Sequence, residues 1–338
     1  MHKYFFYLTL FLVFINCETT KDDTTTIDLG RVFVSSETQS KIGIFDFSDI
    51  NNKKIVEYEI TSDSSAGIYF DSSRDIVYQV DRENNRLNAY SRLSTNDSGS
   101  AILPSAVGTS DFSNPRGLTS EGNIALVAQA GSSDNGEQNA LFMYDIGANE
   151  ITLRNQFDVE YQLWDIQLVG NSLYTARDES DTLVIFNNFL ANSSGPISPD
   201  IKIRLEGVTK IRGMHYVLTN DLMIVTDIGD PTEGVNDGQV ILIEDFKLKL
   251  SAALQQVRQT ISSSDMIFIK GSNTFLQNPV DVIYHEFANR IIVAERSTNG
   301  GMFLSFEYPV QDTQTNEFNL APFYSINYSG ISSLFFND

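Results

Sequence analysis

The chain has 338 residues, 41% hydrophobic and 20% charged, enough apolar material to bury a substantial core. Its 44 acidic and 23 basic residues give a formal net charge of −21, which excludes nucleic acid as a partner and unaided docking on anionic lipid. A single cysteine excludes an internal disulfide, and three widely separated histidines (His2, His215, His285) argue against a histidine-based metal site or a Ser-His-Asp triad.

The chain opens with "MHK" and then the apolar run "YFFYLTLFLVFI" (4–15). As a helix this run rises about 18 Å, short of the roughly 30 Å bilayer core. Polar residues follow with no stop-transfer pattern, so residues 1–16 read as an export signal. The stretch "VFINC" (13–17) resembles the lipobox of bacterial lipoproteins, which implies that Cys17 is lipidated and begins the mature protein. "ETTKDD" (18–23) resembles the signal that carries Bacteroidota lipoproteins to the outer face of the outer membrane. The expected location is therefore the outer membrane, lipid-anchored, with the periplasmic and the cell-surface side both open. Residues 17–30, rich in Thr and Asp, read as a flexible tether.

From residue 31 onward the chain repeats itself. "AGIYFDSSRDIVYQVD" (66–81), "RGLTSEGNIALVAQA" (116–130), "WDIQLVGNSLYTARD" (164–178), "RGMHYVLTNDLMIVTD" (212–227) and "VDVIYHEFANRIIVAE" (280–295) share one form. Each is a short β-branched and aromatic run, a polar turn and a second such run, and a third run follows each, as in "ALFMYDI" (140–146). The anchors Gly67, Gly117, Asp165, Gly213 and Asp281 are spaced by 50, 48, 48 and 68 residues, the size of a four-stranded propeller blade. A sixth copy is split: "RVFVSSETQSKIGIFDFS" (31–48) lacks a first run, and "SGISSLFFND" (329–338) supplies it, with Gly330 as anchor. The expected fold is an all-β, six-bladed β-propeller over 31–338, closed by the C-terminal strand joining the N-terminal blade, and monomeric. The long fourth spacing holds the loop "DIGDPTEGVNDGQ" (227–239). It also holds "SAALQQVRQTISS" (251–263), where Leu250, Leu254, Val257 and Ile261 predict a short helix on blade five.

Propellers place ligands where the inner strands start. Those starts include Arg116, Trp164 (the only tryptophan) and Arg212 on three consecutive blades, with Asp165 and Asp281 at the anchor position. Arg177 and several carboxylates, Glu37, Asp81, Asp227 and Glu295 among them, end the second strands. Arginine forks and an aromatic face suit a carboxylate, sugar or peptide ligand. The alternative is that the arginines pair with neighbouring acids and hold blades together. In the long loop, Asp227, Asp230, Glu233 and Asp237 are oxygen donors of the kind Ca²⁺ prefers, without EF-hand order; a solvated acidic loop is the other reading, and no cofactor is otherwise expected.

The starts "NPRGL" (114–118) and "NPVDV" (278–282), with "IALVA" and "IIVAE" after them, resemble NHL-type six-bladed propellers. That resemblance implies recognition of a protein or glycan on a propeller face without catalysis. The same architecture houses gluconolactonase-like enzymes, whose channel metal is held by one Glu, two Asn and one Asp. Here only Asp165 and Asp281 stand at inner starts, with Asn114 and Asn278 two or three residues earlier, so a metal-dependent hydrolase or lactonase is the second expectation.

Overall fold

A computed structural model describes residues 30–47, 54–147, 149–229, 236–286, 288–310 and 315–337. The expected signal peptide (1–16), Cys17 and the tether up to residue 29 lie outside them, as do Asp230 and Glu233.

Six antiparallel blades surround a channel. Blade one is the split blade: its inner strand Ile331–Asn337 pairs with Arg31–Ser36, followed by Lys41–Asp46 and Lys54–Glu59. The inner strands of blades two to six are Ser65–Asp71, Pro115–Glu121, Leu163–Val169, Ile211–Val217 and Pro279–His285. Blades three, four and five each gain a two-residue outer strand paired in parallel, at Gly195–Pro196, Thr260–Ile261 and Glu317–Phe318.

Alternation explains the packing. Successive side chains of a strand point to opposite faces of its blade, and each face meets a neighbouring blade, so both faces are apolar. The core is accordingly divided into six clusters, one between each adjacent pair. The join between blades six and one is packed like the others: Val32, Val34 and Phe45 meet Val280, Ile292 and Phe303, with Phe45 and Phe303 stacked at 4.5 Å. Burial of each such side chain contributes about 1.5–3 kcal/mol.

All six inner strands open on the same register shift. In blade three, Pro115 pairs with Gln129 and Leu118 with Val127, so Arg116 and Gly117 together face one partner residue. Such a bulge bends the strand and re-aims its side chains. The glycines here are packing requirements: a Cβ on Gly213 would lie 2.4 Å from the Asp281 Cα, and one on Gly67 would lie 2.5 Å from the Leu118 nitrogen.

Two expectations need correction. The sixth anchor is Ser332-Ser333, not Gly330, because the shift in the closing strand falls between Ile331 and Ser333. Gly330 lies in the preceding turn, where its φ of 64° and the approach of Thr38 favour glycine. The helix runs over Phe246–Leu254, earlier than expected, and buries Phe246, Leu250 and Ala253 against the cluster between blades four and five. Val257 is fully exposed, and Ile261 is buried in a strand beside Leu205.

Candidate functional site

The bulges stack two rings of residues around the channel. The outer ring, at the mouth, is Ala66, Arg116, Trp164, Arg212, Val280 and Ser332; the next ring inward is Gly67, Gly117, Asp165, Gly213, Asp281 and Ser333. The expected trio Arg116, Trp164 and Arg212 is therefore brought together.

Trp164 lies across the channel. Its Nε1 donates to the Val280 carbonyl at 3.2 Å, and its ring joins the cluster between blades six and one. The Arg212 guanidinium carbon sits 3.7 Å from the indole centroid and that of Arg116 4.8 Å, both at cation–π distance. The indole is thus a floor on which two guanidiniums rest.

Two arginines that sequence reasoning missed complete the mouth. Arg82 and Arg296 directly follow the buried acids Asp81 and Glu295 that end two second strands. Glu37 pairs with both, with Arg82 at 2.9 Å and with Arg296 in a closer contact. The adjacency "DR" and "ER" is a local signal that could have found them. Arg82, Arg116, Arg212 and Arg296 line one open recess of about 510 Å³, together with Glu37, Thr38 and Trp164.

The pairing within the mouth is incomplete. Arg212 lies 3.6 Å from Asp178 and 3.7 Å from Glu179, and Glu179 is also held by Lys210 at 2.6 Å. Arg116 feels the charge of Asp178 but has no carboxylate at ion-pair distance and no hydrogen-bond acceptor among the described residues, and its buried Nε is unsatisfied. Burial first, and then the charge of Arg82 with those of Arg212 and Arg296, pushes the Arg116 guanidinium down to about 10. Arg82, Arg116, Arg212, Arg296 and the nearby Lys210 face Glu37, Asp178 and Glu179, an excess of two positive charges on a protein of net charge −21. Arg177 does not join them; it stacks on Tyr161 at 4.7 Å.

The inner-ring acids have structural tasks. Asp165 accepts from its own neighbour Ile166 N (2.8 Å) and from Met214 N on the next blade (2.9 Å). Asp281 does the same with Val282 N (2.7 Å) and Leu334 N (2.7 Å). The inner edge of each blade carries N–H groups with no strand beyond them, and these two carboxylates satisfy four of them. Burial, together with the neighbouring Asp281, raises Asp165 well above the ordinary carboxylate range, and burial raises Asp281 to about 6. Most of the acids that end second strands bracket loops. Asp81 holds Ser62 and Asn84, and Glu295 accepts from the backbone N–H groups of Gln277, Asn278, Ser297 and Thr298.

Asp227 belongs to the same bracketing set. Its oxygens accept from Thr209 N, Lys210 N, Gly229 N and the Gln239 amide, all at 2.7–2.9 Å, so its carboxylate organises loops. Asp237 packs against Gly229. Among the described residues no three His, Cys, Asp or Glu side chains gather as a metal would require.

No protein-family model and no curated protein matches this chain. Solved structures do. A chain of the nidogen/laminin complex has a TM-score of 0.59 at 11% identity, covering 90% of this chain and 97% of that one. A candidate 6-phosphogluconolactonase from Bacteroides fragilis has a TM-score of 0.58 at 12% identity, covering 94% of this chain and all of that one. Another, from Bacteroides uniformis, has a TM-score of 0.58 at 9% identity, with coverage of 91% and 99%. At these identities the likeness is one of fold. Fold and mouth together define the class: a six-bladed β-propeller with an arginine-lined channel entrance.

Proposed function

We propose that this protein is a lipid-anchored, extracytoplasmic recognition propeller that holds a partner protein or a glycan at its mouth, without catalysis, through an anionic group of that ligand. The observation carrying this reading is Arg116, a guanidinium resting on an indole, beside three other arginines and with no acceptor of its own. A buried donor without a partner costs about 1–3 kcal/mol, and a charged one more, so the mouth is built for an anion that the protein does not supply. The ring of Arg82, Glu37 and Arg296 keeps the recess open by fixing its walls across blades one, two and six. One structural neighbour, from the nidogen/laminin complex, comes from an assembly of two proteins, which accords with a propeller used for recognition.

The lactonase reading draws on the other two neighbours and on the suitability of arginines for a phosphorylated substrate. A channel metal of the gluconolactonase kind does not fit the residues present. Both oxygens of Asp165 and of Asp281 already accept backbone N–H groups and the Asn114 amide donates to the Ala130 carbonyl, so of this set only the buried Asn278 Oδ1 has no partner, and one such oxygen does not hold a metal.

Crosslinking on intact cells followed by pull-down tests the proposal, comparing the wild type with Arg116→Ala and with the Arg82→Ala/Arg296→Ala pair. Capture by the wild type that is lost in both variants, with unchanged circular dichroism, is the expected result. Capture indifferent to all three arginines would refute the mouth as the working face. Chelator-sensitive lactone hydrolysis would favour the second reading.

A further inference from the structure

The opposite end of the channel has the opposite chemistry. Below the carboxylates of Asp165 and Asp281 the channel widens to a cavity of about 330 Å³, which opens on the far face beside Ser120, Leu218 and Glu286. Its lining contains Asp165, Asp281 and Glu286 but no lysine and no arginine. Tyr69 and Phe335 stand edge to face at 4.8 Å on one wall, with Phe336 next to them.

The polar side chains on the wall are already engaged. Thr119 Oγ1 accepts from Leu168 N (3.0 Å), Gln167 both accepts from Tyr216 N and donates to its carbonyl, and His215 Nδ1 accepts from Tyr284 N (2.9 Å). Each reaches from one blade to the inner strand of the next, as the carboxylates do one ring higher. At the matching positions of blades six, one and two stand Ile283, Phe335 and Tyr69, so half of the wall is polar and occupied and the other half is apolar and aromatic.

This composition selects among ligands. A sugar needs several unoccupied donors and acceptors, and few remain. A metal ion needs three converging ligands, and none gather among the described residues. An anion would meet Glu286 and the buried Asp165–Asp281 pair, and no cation. What the cavity does offer is aromatic surface, negative charge and little hydrogen bonding. Those are the requirements of a methylated ammonium ion, whose charge is spread over carbon and which donates few hydrogen bonds. We infer that this far-face cavity binds a small organic ammonium ion, seated between the Tyr69–Phe335 aromatic wall and the Asp165 and Asp281 carboxylates. The site opens on the face opposite the mouth, with Asp165 and Asp281 lying between the two, and does not depend on the function proposed for the mouth.

Isothermal titration of the full chain with choline, and with its uncharged isostere 3,3-dimethylbutan-1-ol, tests this. Choline should bind at least about tenfold more tightly than the isostere, the ratio that a desolvated cation–π contact and nearby carboxylates supply. Tyr69→Ala should weaken choline by about five- to tenfold, and Glu286→Gln, a rim change that leaves the packing intact, by about twofold. Equal binding of the two probes, binding of choline indifferent to both variants, or no choline binding at all would each overturn the inference. Should Tyr69→Ala fail to fold, the isostere comparison and Glu286→Gln still decide.

Discussion

Arg116→Met separates a ligand-binding arginine from a structural one, because the two roles predict opposite signs of stability change. The folded protein holds this guanidinium at about 10, which corresponds to roughly 3 kcal/mol of disfavour toward the charged form. A base with a depressed folded value carries that penalty at every pH below the folded value, so all of it is present at pH 7 and is relieved only above about pH 10. Against this stands the stacking on Trp164 at 4.8 Å, which contributes about 0.5–1 kcal/mol. Methionine keeps the apolar stem and removes the charge. The residue is partly open to water, which screens the penalty, so the net expectation is a gain of about 1–2 kcal/mol. Urea unfolding at pH 7 should show a raised midpoint with unchanged slope, while capture of the mouth ligand is lost. A loss of stability of about 1 kcal/mol or more would refute the reasoning, since it would make Arg116 a pillar between blades.

Other expectations follow from the same geometry. Gly213→Ala puts a methyl 2.4 Å from the Asp281 Cα and 2.9 Å from the Val282 nitrogen, so blade five must shift. Thermal unfolding should register a loss of about 1–3 kcal/mol, and a neutral result would contradict the packing at the axis. Burial holds His215 down to about 4, so the folded state refuses a proton that the unfolded chain accepts below its ordinary value near 6.5, and stability falls as pH drops between these limits. His215→Gln should therefore gain on the wild type by up to about 3 kcal/mol between pH 7 and pH 4; a pH-independent difference would exclude this. The raised carboxylates act in the reverse sense, since Asp281 at about 6 takes up its proton more readily when folded and so adds stability as pH falls from 6 toward 4. Cys17→Ser should leave a folded propeller and move it from the membrane to the soluble fraction on cell fractionation, and retention in the membrane would refute the lipid anchor.

The blades and their closure were legible because the repeat is made of alternating apolar runs, and burial on both faces of every blade requires them. Arg116, Trp164 and Arg212 could be placed on one ring because they occupy the same place in three copies. What could not be read was side-chain direction. Trp164 looked like a platform for a ligand, but its ring lies across the channel under two arginines. Arg82 and Arg296 went unnoticed because they stand one residue beyond the repeat, in loops whose path depends on the buried acid before them. Gly330 resembled the other anchors in local sequence, yet the closing strand starts after it, and only the pairing with Arg31–Ser36 reveals the offset. Among the acids at 227–239, Asp227 is turned inward onto backbone N–H groups, a geometry that composition does not encode.

The split blade also sets where the chain enters the ring. Arg31–Ser36 runs antiparallel to the closing strand, with Ser36 at the arginine end of the channel and Arg31 opposite Asn337 at the other. A leash attached ahead of Arg31 therefore leaves from the face that bears the aromatic cavity. Under the lipid anchor proposed at Cys17, that is the face to which the anchor is joined. The arginine mouth would then lie on the side away from that anchor.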